Sequence, residues 1–323
     1  MDLLAMLSEL NFLETKKIYN RPSIVDFFHN RSRCGIYLLH FSDGTYYIGQ
    51  AIDIPRRYTQ HRKKHNDITH ISFKNVKKDD LNSYEAEAIR KFESKFQLRN
   101  ISLASAPAMD ADLDELLHPD RQSEWLEEKI PSVIFKKRIV DKTLRSKYSL
   151  RFCDLERNSF FIEQILPVLK KYVSICIPEP YLTEISFWGS SCLPAHESTS
   201  TIEIYSRINM YWQEVFTVGK MLEQKLPLFS WHLSKKIIAS HLGENFKSTF
   251  KTYKTIEFDD HYYESGGFDQ FAVYIYDTDE AMLLLDNNSI IEAIKNFNLR
   301  CMRKGAHIHA PYHCMHLADL ILP

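Results

Sequence analysis

The 323-residue chain contains no run of about 18 apolar residues, the length that a bilayer-spanning helix requires. Its first residues are apolar, but they carry neither a basic flank nor a small-residue cleavage site, which argues against a secretory signal. The six cysteines are scattered and form no Cys-x-x-Cys pair, so we expect reduced thiols rather than disulfides. These absences predict a soluble cytoplasmic protein with no membrane partner.

The chain also lacks internal repeats and low-complexity tracts, and its net charge is only −1. That near-neutral total hides an asymmetry, because residues 1–109 hold 17 Lys and Arg against 12 Asp and Glu, whereas the remainder holds 24 against 30. Within the first part, residues 56–78 carry eight basic residues and one acid. Clustered Lys and Arg are what phosphate contacts need, so this run favours a nucleic-acid partner over an ordinary solvated surface.

The length predicts two domains, and composition places the boundary between them. Residues 104–108 read Ala-Ser-Ala-Pro-Ala, and residues 110–128 hold eight acids against one base, whereas residues 136–151 are basic again. We predict an α+β protein with three parts: a first domain with an N-terminal helical extension (1–109), an acidic linker or helix (110–130), and a larger mixed α/β domain (131–323). Inside the last part, apolar periodicity predicts strands at 182–188, 202–212 and 270–276 and helices at 160–173 and 278–298.

The most informative motif is a pair of tripeptides, Gly35-Ile36-Tyr37 and Tyr47-Ile48-Gly49, separated by turn residues. Apolar and aromatic residues on both sides of Asp43-Gly44 predict a β-hairpin. A two-residue turn would place the two tyrosines on opposite faces. A three-residue loop, Ser42-Asp43-Gly44 with a left-handed glycine, would pair Leu39 with Tyr47 and bring both tyrosines to one face. If the tyrosines serve one site, the three-residue loop is required.

A helix is predicted directly after the hairpin. Asp53 is a good N-cap, Pro55 is tolerated in the first turn, and the helix should run to about His65. Arg57 and His61 are four residues apart and therefore share one face of it. Two tyrosines, an arginine and a histidine thus come together near the basic run, as a set suited to cutting a phosphodiester bond.

A second helix is predicted over residues 81–96. Glu85 lies at the edge of its apolar stripe, where a buried carboxylate needs a partner or a metal ion. The predicted core stripe consists of Tyr84, Ala88, Phe92 and Phe96.

This set resembles the GIY-YIG nuclease superfamily over residues 35 to about 100, roughly a fifth of the chain. Both tripeptides match literally, and Arg57 stands where the family has its arginine. His61 matches a histidine found in many members, and Glu85 stands where the family's metal-binding helix has its glutamate. Asn100 is a looser match to a late asparagine of the family.

The resemblance implies a small antiparallel sheet flanked by helices and a divalent-metal-dependent endonuclease that hydrolyses DNA. Glu85 would hold the cation, Mg²⁺ or else Mn²⁺, and a lone carboxylate suits one metal better than two. Tyr37 would position or deprotonate the water with His61 nearby, Arg57 would neutralise charge on the phosphate, and Tyr47 would orient it. Candidate DNA contacts are Arg56, Arg62, Lys63, Lys64, Lys74 and Asn100.

Two other readings of the domain remain open at this point: an inactive nuclease fold that only binds nucleic acid or regulates, and a nuclease that cuts RNA. By analogy alone, a defence, restriction or mobile-element role fits the length. The second domain would recognise substrate, regulate the nuclease or support oligomerisation. It also contains a dense His/Cys cluster, for which zinc binding competes with a structural role because its spacing matches no compact zinc pattern: Cys301, His307, His309, His313, Cys314 and His316.

Overall fold

A computed structural model describes residues 3–13, 15–28, 32–101, 103–105, 111–127, 138–194, 201–260 and 263–323. The chain forms two compact units, Met1–Met109 and Asp110–Pro323, and each contains an antiparallel sheet with helices. The α+β fold class is therefore confirmed. Most of the predicted linker at 104–108 and the end of the acidic segment lie outside the described residues. In the part of the chain that is described, no helix is both long and apolar enough to cross a membrane.

The first unit has a four-stranded sheet in the order β1-β4-β2-β3. β3 is thus an edge strand, and β2 lies between β3 and β4. The elements are α1 (Leu3–Glu9), β1 (Lys16–Lys17), a 3₁₀ turn (Val25–Phe28), β2 (Gly35–Phe41), β3 (Tyr46–Ala51), α2 (Ile54–Lys64), β4 (Ile68–Asn75), a second 3₁₀ turn (Lys78–Asp80) and α3 (Leu81–Glu93).

The hairpin between β2 and β3 has the predicted three-residue loop. Leu39 pairs with Tyr47, and the Phe41 amide donates to the Thr45 carbonyl at 3.0 Å, which leaves Ser42, Asp43 and Gly44 as the loop. Gly44 has a φ of 83°, a left-handed conformation that glycine adopts without steric cost. Because side chains alternate along a strand, Tyr37 and Tyr47 share one face of the sheet, and this prediction is confirmed.

α2 begins and ends nearly where the sequence predicts. The side chain of Asp53 accepts a hydrogen bond from the Arg56 amide at 2.9 Å, and Pro55 lies in the first turn. α3 ends at Glu93, three residues earlier than predicted. Its buried stripe contains Ala88 and Phe92, as predicted, but also Leu81 and Ile89. The prediction for Tyr84 is wrong, because its ring is 37% exposed and packs under the ammonium of Lys74 instead.

The outer edge of β3 is covered by the segment that follows α3. The amide of Tyr46 donates to the Gln97 carbonyl, and the Arg99 amide donates to the Tyr46 carbonyl at 2.7 Å. Asn100 continues this pairing with its side chain, accepting from the Ile48 amide at 2.9 Å and donating to the Ile48 carbonyl at 2.6 Å. Pairing of this kind protects a strand edge that would otherwise be free.

These bonds require a correction for Asn100, which sequence comparison suggested as a DNA contact. The residue is 4% exposed, and both ends of its amide are engaged by the backbone of Ile48. In this conformation its side chain has no free surface to offer a phosphate. We therefore reassign it as a structural residue that holds the middle of β3.

The second unit has a six-stranded sheet in the order β5-β6-β7-β8-β10-β9, with every neighbouring pair antiparallel. Its elements are α4 (Asp112–Leu116), α5 (Pro119–Glu127), α6 (Lys142–Lys147), α7 (Ser149–Glu156), a π-helical turn (Phe161–Ile165), α8 (Leu166–Cys176), α9 (Pro180–Thr183), β5 (Trp188–Ser191), β6 (Ile202–Met210), β7 (Gln213–Met221), β8 (Pro227–Leu233), α10 (Lys235–Leu242), a 3₁₀ segment (Phe246–Thr252), β9 (Ile256–Asp259), a 3₁₀ turn (Glu264–Gly266), β10 (Phe271–Ile275), α11 (Thr278–Leu284), α12 (Asn288–Arg303), a 3₁₀ turn (Ala310–Tyr312) and α13 (Met315–Ile321).

Most of the periodic segments of this unit form the helix or strand that the sequence predicts, but two differ from the prediction. The predicted strand at 182–188 is wrong, because its first residues complete α9 and only Trp188 belongs to β5. The predicted helix at 278–298 is divided into α11 and α12, and α12 begins anew with the side-chain cap of Asn287. In the acidic segment, Leu113 of α4 and Trp125 of α5 are buried in the core of this unit.

One member of the His/Cys cluster of the second unit, His313, is held by hydrogen bonds, whereas neither ring nitrogen of buried His307 has a hydrogen-bond partner among the described residues. His313 is buried, its Nδ1 accepts from the Ser190 amide at 3.0 Å, and its Nε2 contacts Glu184 Oε1 at 2.9 Å. Glu184 in turn forms an ion pair with Arg138. Nowhere in the described ranges do three or more His, Cys, Asp or Glu side chains form a group that could hold a metal ion. A structural role is therefore supported for His313.

The role of Asn100 is testable with Asn100→Leu. The substitution leaves the buried amide and carbonyl of Ile48 unpaired, so the free energy of unfolding of the first unit should fall by about 1–3 kcal/mol. Urea unfolding combined with hydrogen exchange of the β3 amides measures the change. The control Asn66→Ala alters an exposed asparagine and should stay within about 0.5 kcal/mol of wild type. An Asn100→Leu variant as stable as that control would contradict the assignment.

Candidate active site

The hairpin and α2 together place two tyrosines against one histidine. The Tyr37 hydroxyl lies 2.8 Å from His61 Nε2, and the two rings are 5.7 Å apart between centroids. The Tyr47 ring lies 4.7 Å from the His61 ring and 6.2 Å from the Tyr37 ring. α2 packs on this face of the sheet through Ile54 and Tyr58, which share a core cluster with Tyr37. The sequence-predicted residues Tyr37, Tyr47 and His61 are thus in mutual contact.

The two glycines of the tripeptides are both required by close approaches. A Cβ built at Gly49 would lie 2.4 Å from the Tyr37 hydroxyl oxygen and 2.8 Å from Cε1 of Tyr47. A Cβ at Gly35 would lie 2.0 Å from the Lys74 carbonyl oxygen in β4. Real Cβ atoms do not tolerate such distances. Gly49 therefore provides the space in which the Tyr37 hydroxyl rests, and Gly35 allows β4 to pair closely with β2.

Burial keeps the tyrosines and the histidine of the site uncharged. Burial raises the pKa of Tyr37 well above its usual range, and it also raises the pKa of Tyr47, with the Glu85 carboxylate adding to the effect. Burial lowers the pKa of His61 to about 4, and the positive charge of Arg57 contributes. At neutral pH the pair is a phenol and a neutral imidazole, so the hydroxyl can donate to Nε2 when the imidazole proton is on Nδ1.

Arg57 places a fixed positive charge at the exposed side of this cluster. Its side chain is exposed, and Nη1 donates to Gln60 Oε1 at 2.9 Å within the same helix. The pKa of Arg57 is raised, chiefly by hydrogen bonding with the Tyr37 hydroxyl. Tyr37 is 1% exposed and His61 is 8% exposed. A phosphate would therefore meet Arg57 and the half-buried Tyr47 first, with Tyr37 and His61 behind them.

Glu85 comes from α3 to the edge strand, where its partner Gln50 pairs with Ile36 and therefore points to the face opposite to the tyrosines. Its carboxylate influences the pKa of both tyrosines, so it lies within electrostatic range of their hydroxyls. Glu85 Oε2 accepts a hydrogen bond from Gln50 Nε2 at 2.8 Å, and the same nitrogen donates to Asn82 Oδ1 at 2.6 Å. Carboxylate and amide oxygens are the hard donors that Mg²⁺ takes, so the donor chemistry here fits the cation that the resemblance implies.

The candidate DNA contacts do not all lie near this cluster. Arg56, Lys63 and Lys64 are exposed on α2, the helix that also carries Arg57. Arg62 is partly buried, and its Nη1 has no hydrogen-bond partner among the residues that the structure describes. The α2 residues thus remain available as contacts.

Lys74 requires a correction. It pairs with Ile36, whereas its neighbour Phe73 pairs with Tyr37. Because paired residues of an antiparallel sheet point to the same side, Lys74 lies on the face opposite to the tyrosines. Its ammonium lies 4.0 Å from the centre of the Tyr84 ring on α3. Lys74 is therefore not brought to the cluster.

Two residues of the region were missed from the sequence. Gln50 directly follows the second tripeptide, and Asn82 precedes Glu85 by three residues, which places it on the same helix face. The three-residue spacing from Glu85 is a sequence signal that could have identified Asn82. The contact of Gln50 with both side chains depends on how α3 packs against β3, for which the sequence carries no local signal.

Comparison with known proteins supports the identity of this region. Residues 33–98 match the family model described as the GIY-YIG catalytic domain, and no other domain is recognised in the chain. Neither the curated proteins nor the solved structures contain a match to the chain. The matched segment includes both tripeptides, Arg57, His61 and Glu85. Residues 33–98 are therefore similar to the GIY-YIG catalytic domain.

Proposed function

We propose that the first unit is a Mg²⁺-dependent endonuclease that hydrolyses DNA. The observation that carries the proposal is the 2.8 Å contact between the Tyr37 hydroxyl and His61 Nε2, held beside Arg57 and within electrostatic range of Glu85. A binding-only fold has no need to keep a buried phenol in contact with a buried neutral imidazole. The GIY-YIG catalytic domain supports nuclease chemistry of this superfamily.

Substrate binding would use the exposed side of α2. Arg56, Arg57, Lys63 and Lys64 give this helix four exposed positive charges. Such charges attract the phosphate backbone without reading its sequence. Arg57 differs from the others because the Tyr37 and Tyr47 hydroxyls raise its pKa, which supports its binding of the phosphate that is cut. In that position its charge stabilises the negative charge that develops during hydrolysis.

Proton transfer would run through Tyr37 to His61. The raised pKa of Tyr37 disfavours a free phenolate, so we propose that Tyr37 gives its proton to His61 Nε2 as it accepts one from the attacking water. The lowered pKa of His61 keeps Nε2 unprotonated at neutral pH, and because it also makes the imidazole a weak base, the proton would reach Nε2 only as the water attacks the phosphate. Tyr37 then remains neutral throughout, and the water becomes a nucleophile without a strong base in the site.

Glu85 would hold the divalent cation through the carboxylate that accepts from Gln50 in the metal-free protein. A bound Mg²⁺ supplies Lewis-acid stabilisation of the phosphate oxygens, and one carboxylate leaves most of its coordination positions to water and substrate. The half-buried Tyr47 would orient the phosphate through its hydroxyl. Its pKa responds to the charges of both Arg57 and Glu85.

The nuclease proposal is testable by nicking of supercoiled plasmid DNA with Mg²⁺. Tyr37→Phe and Glu85→Gln should each lower the rate by about 10²–10⁴-fold, because one removes the proton acceptor and the other the cation ligand. The matched control is Glu87→Gln on the same helix, whose carboxylate pairs with Lys91 outside the site and whose loss should leave the rate unchanged.

Equal nicking by wild type and all three variants would indicate a contaminant and contradict the proposal. An RNA of the same sequence forms the second arm of the assay. Cleavage of RNA with no cleavage of DNA would replace the proposed substrate while keeping the site.

Gly49→Ala tests the packing of Tyr37. The added Cβ would displace the phenol, because it would lie 2.4 Å from the hydroxyl oxygen. Displacement of a reacting group by about 1 Å costs about 10²-fold in rate, so a loss of at least that size is expected in single-turnover nicking. Ile52→Ala, at an exposed position just beyond β3, should nick at the wild-type rate. A fully active Gly49→Ala protein would show that the Tyr37 position is not critical.

The protonation state of His61 is testable by NMR with ¹³C-labelled histidine. The resonance that His61→Gln removes should not titrate near pH 6.5 but near pH 4, since burial and Arg57 lower its pKa to about 4. His40, whose pKa burial also lowers to about 4, should remain as a second such signal. Unfolding then takes up a proton on His61 between pH 4 and 6.5. Its stabilising contribution is therefore complete above pH 6.5 and is lost as the pH falls to 4. Titration of the His61 signal near 6.5 would contradict the proposed acceptor.

A further inference from the structure

One nitrogen atom lies between two oxygen acceptors at the edge of the site. Gln50 Nε2 is 2.6 Å from Asn82 Oδ1 and 2.8 Å from Glu85 Oε2. Gln50 must present its nitrogen here, because its oxygen would face the Glu85 carboxylate. Each of the two amide hydrogens is then directed at one acceptor. The partial positive charge of this NH₂ group thus occupies the place where the two oxygens converge.

The two acceptors come from the first turns of one helix. Asn82 and Glu85 are three residues apart on α3 and share its face. An amide oxygen and a carboxylate oxygen are both ligands that Mg²⁺ accepts, at about 2.1 Å. Relative to the distances from Gln50 Nε2, each oxygen would need to move inward by only about 0.5–0.7 Å. Asn82 is exposed, so its side chain is not locked by packing.

We propose that Asn82 is a second protein ligand of the divalent cation held by Glu85, and that Gln50 occupies the cation's position in the metal-free protein. The inference rests on the proposed function and adds to it a ligand and a competing group. Cation binding requires that Gln50 withdraws its NH₂ group from both oxygens. Both oxygens then have a partner in either state of the site. The cation binds them when the site is occupied, and Gln50 donates to them when it is empty.

The charges of this ligand pair suit phosphodiester hydrolysis. A divalent cation bound by one carboxylate and one neutral amide oxygen retains a net charge of +1. A second carboxylate in place of Asn82 would cancel that charge and weaken the attraction for the phosphate. Two protein ligands also leave about four octahedral positions for water and substrate oxygens. The pair therefore fixes the cation without using up its positive charge.

The test measures Mn²⁺ binding to the full chain without DNA, by the loss of the free-ion signal in electron paramagnetic resonance. Asn82→Ala should weaken binding about tenfold, and Asn82→Asp should strengthen it because it adds a charge. Gln50→Leu should strengthen binding about 3- to 10-fold, since it removes the hydrogen bonds that compete with the ion. Mg²⁺ should displace the bound Mn²⁺ from all proteins that bind it.

Matched controls separate ligand loss from misfolding. Glu87→Gln should bind Mn²⁺ as wild type does, because its carboxylate lies outside the site in contact with Lys91. Asn82→Ala places a good helix former at an exposed helical position, so its thermal midpoint should match wild type. Asn82→Asp keeps the shape of the side chain and should strengthen Mn²⁺ binding. A folding defect would weaken binding, so it could not produce this result.

Two results would overturn the inference. If Glu85→Gln abolishes Mn²⁺ binding while Asn82→Ala and Gln50→Leu bind like wild type, Glu85 acts alone and the nuclease proposal stands. If wild type binds no Mn²⁺, the two-oxygen site does not form. In that case plasmid nicking, with its own variants, decides separately whether the nuclease proposal also fails.

Discussion

The packing of the Tyr37 phenol over the backbone of Gly49 is the contact on which the site depends. It exists only because the hairpin loop has three residues and puts Tyr37 opposite Gly49. A register shift of one residue would turn Tyr47 to the other face and leave the Tyr37 hydroxyl without its neighbours. The left-handed conformation of Gly44 fixes that register at a position far from the chemistry. The tripeptides are thus a steric arrangement as much as a set of functional groups.

The charge state of each group in the site follows from how deeply its side chain is buried. The deepest groups, Tyr37 and His61, are kept neutral by burial, whereas the fixed charge of Arg57 stays on the exposed side. Placing Arg57 beside His61 lowers the pKa of His61 further, so the residue that would bind phosphate also helps to keep the imidazole unprotonated. Binding and proton acceptance are therefore coupled through one guanidinium, although the two functions use different atoms.

Local sequence information was sufficient where the structure is set by neighbours in the chain. Turn chemistry predicted the hairpin loop, and the Asp53 cap predicted α2 together with the shared face of Arg57 and His61. Sequence information failed where the outcome depends on pairing between distant segments. The face on which Lys74 lies follows from its pairing with Ile36, 38 residues earlier, and nothing in the basic run indicates that register.

The same limitation explains the misassigned asparagine and the missed glutamine. A polar residue after a helix looks like a surface contact until the strand edge that it covers is known. Likewise, the strand at 182–188 was predicted from apolar content, but Pro180 begins a short helix there and the chain enters β5 only at Trp188. Periodicity identifies a buried segment more readily than it identifies the type of element in which the segment is buried.

Asn100 stabilises β3 next to the residues of that strand that belong to the site. Its amide completes the pairing of β3 at Ile48, and the next two residues of the strand are Gly49 and Gln50. Gly49 lies under Tyr37 and Gln50 lies against Glu85, so both contribute to the site, as Tyr47 of the same strand does. The support that Asn100 gives to the edge strand thus lies between Tyr47 and Gly49. A residue that never touches the substrate can in this way hold both sides of the site in register, because Gly49 and Gln50 move with the strand that Asn100 anchors.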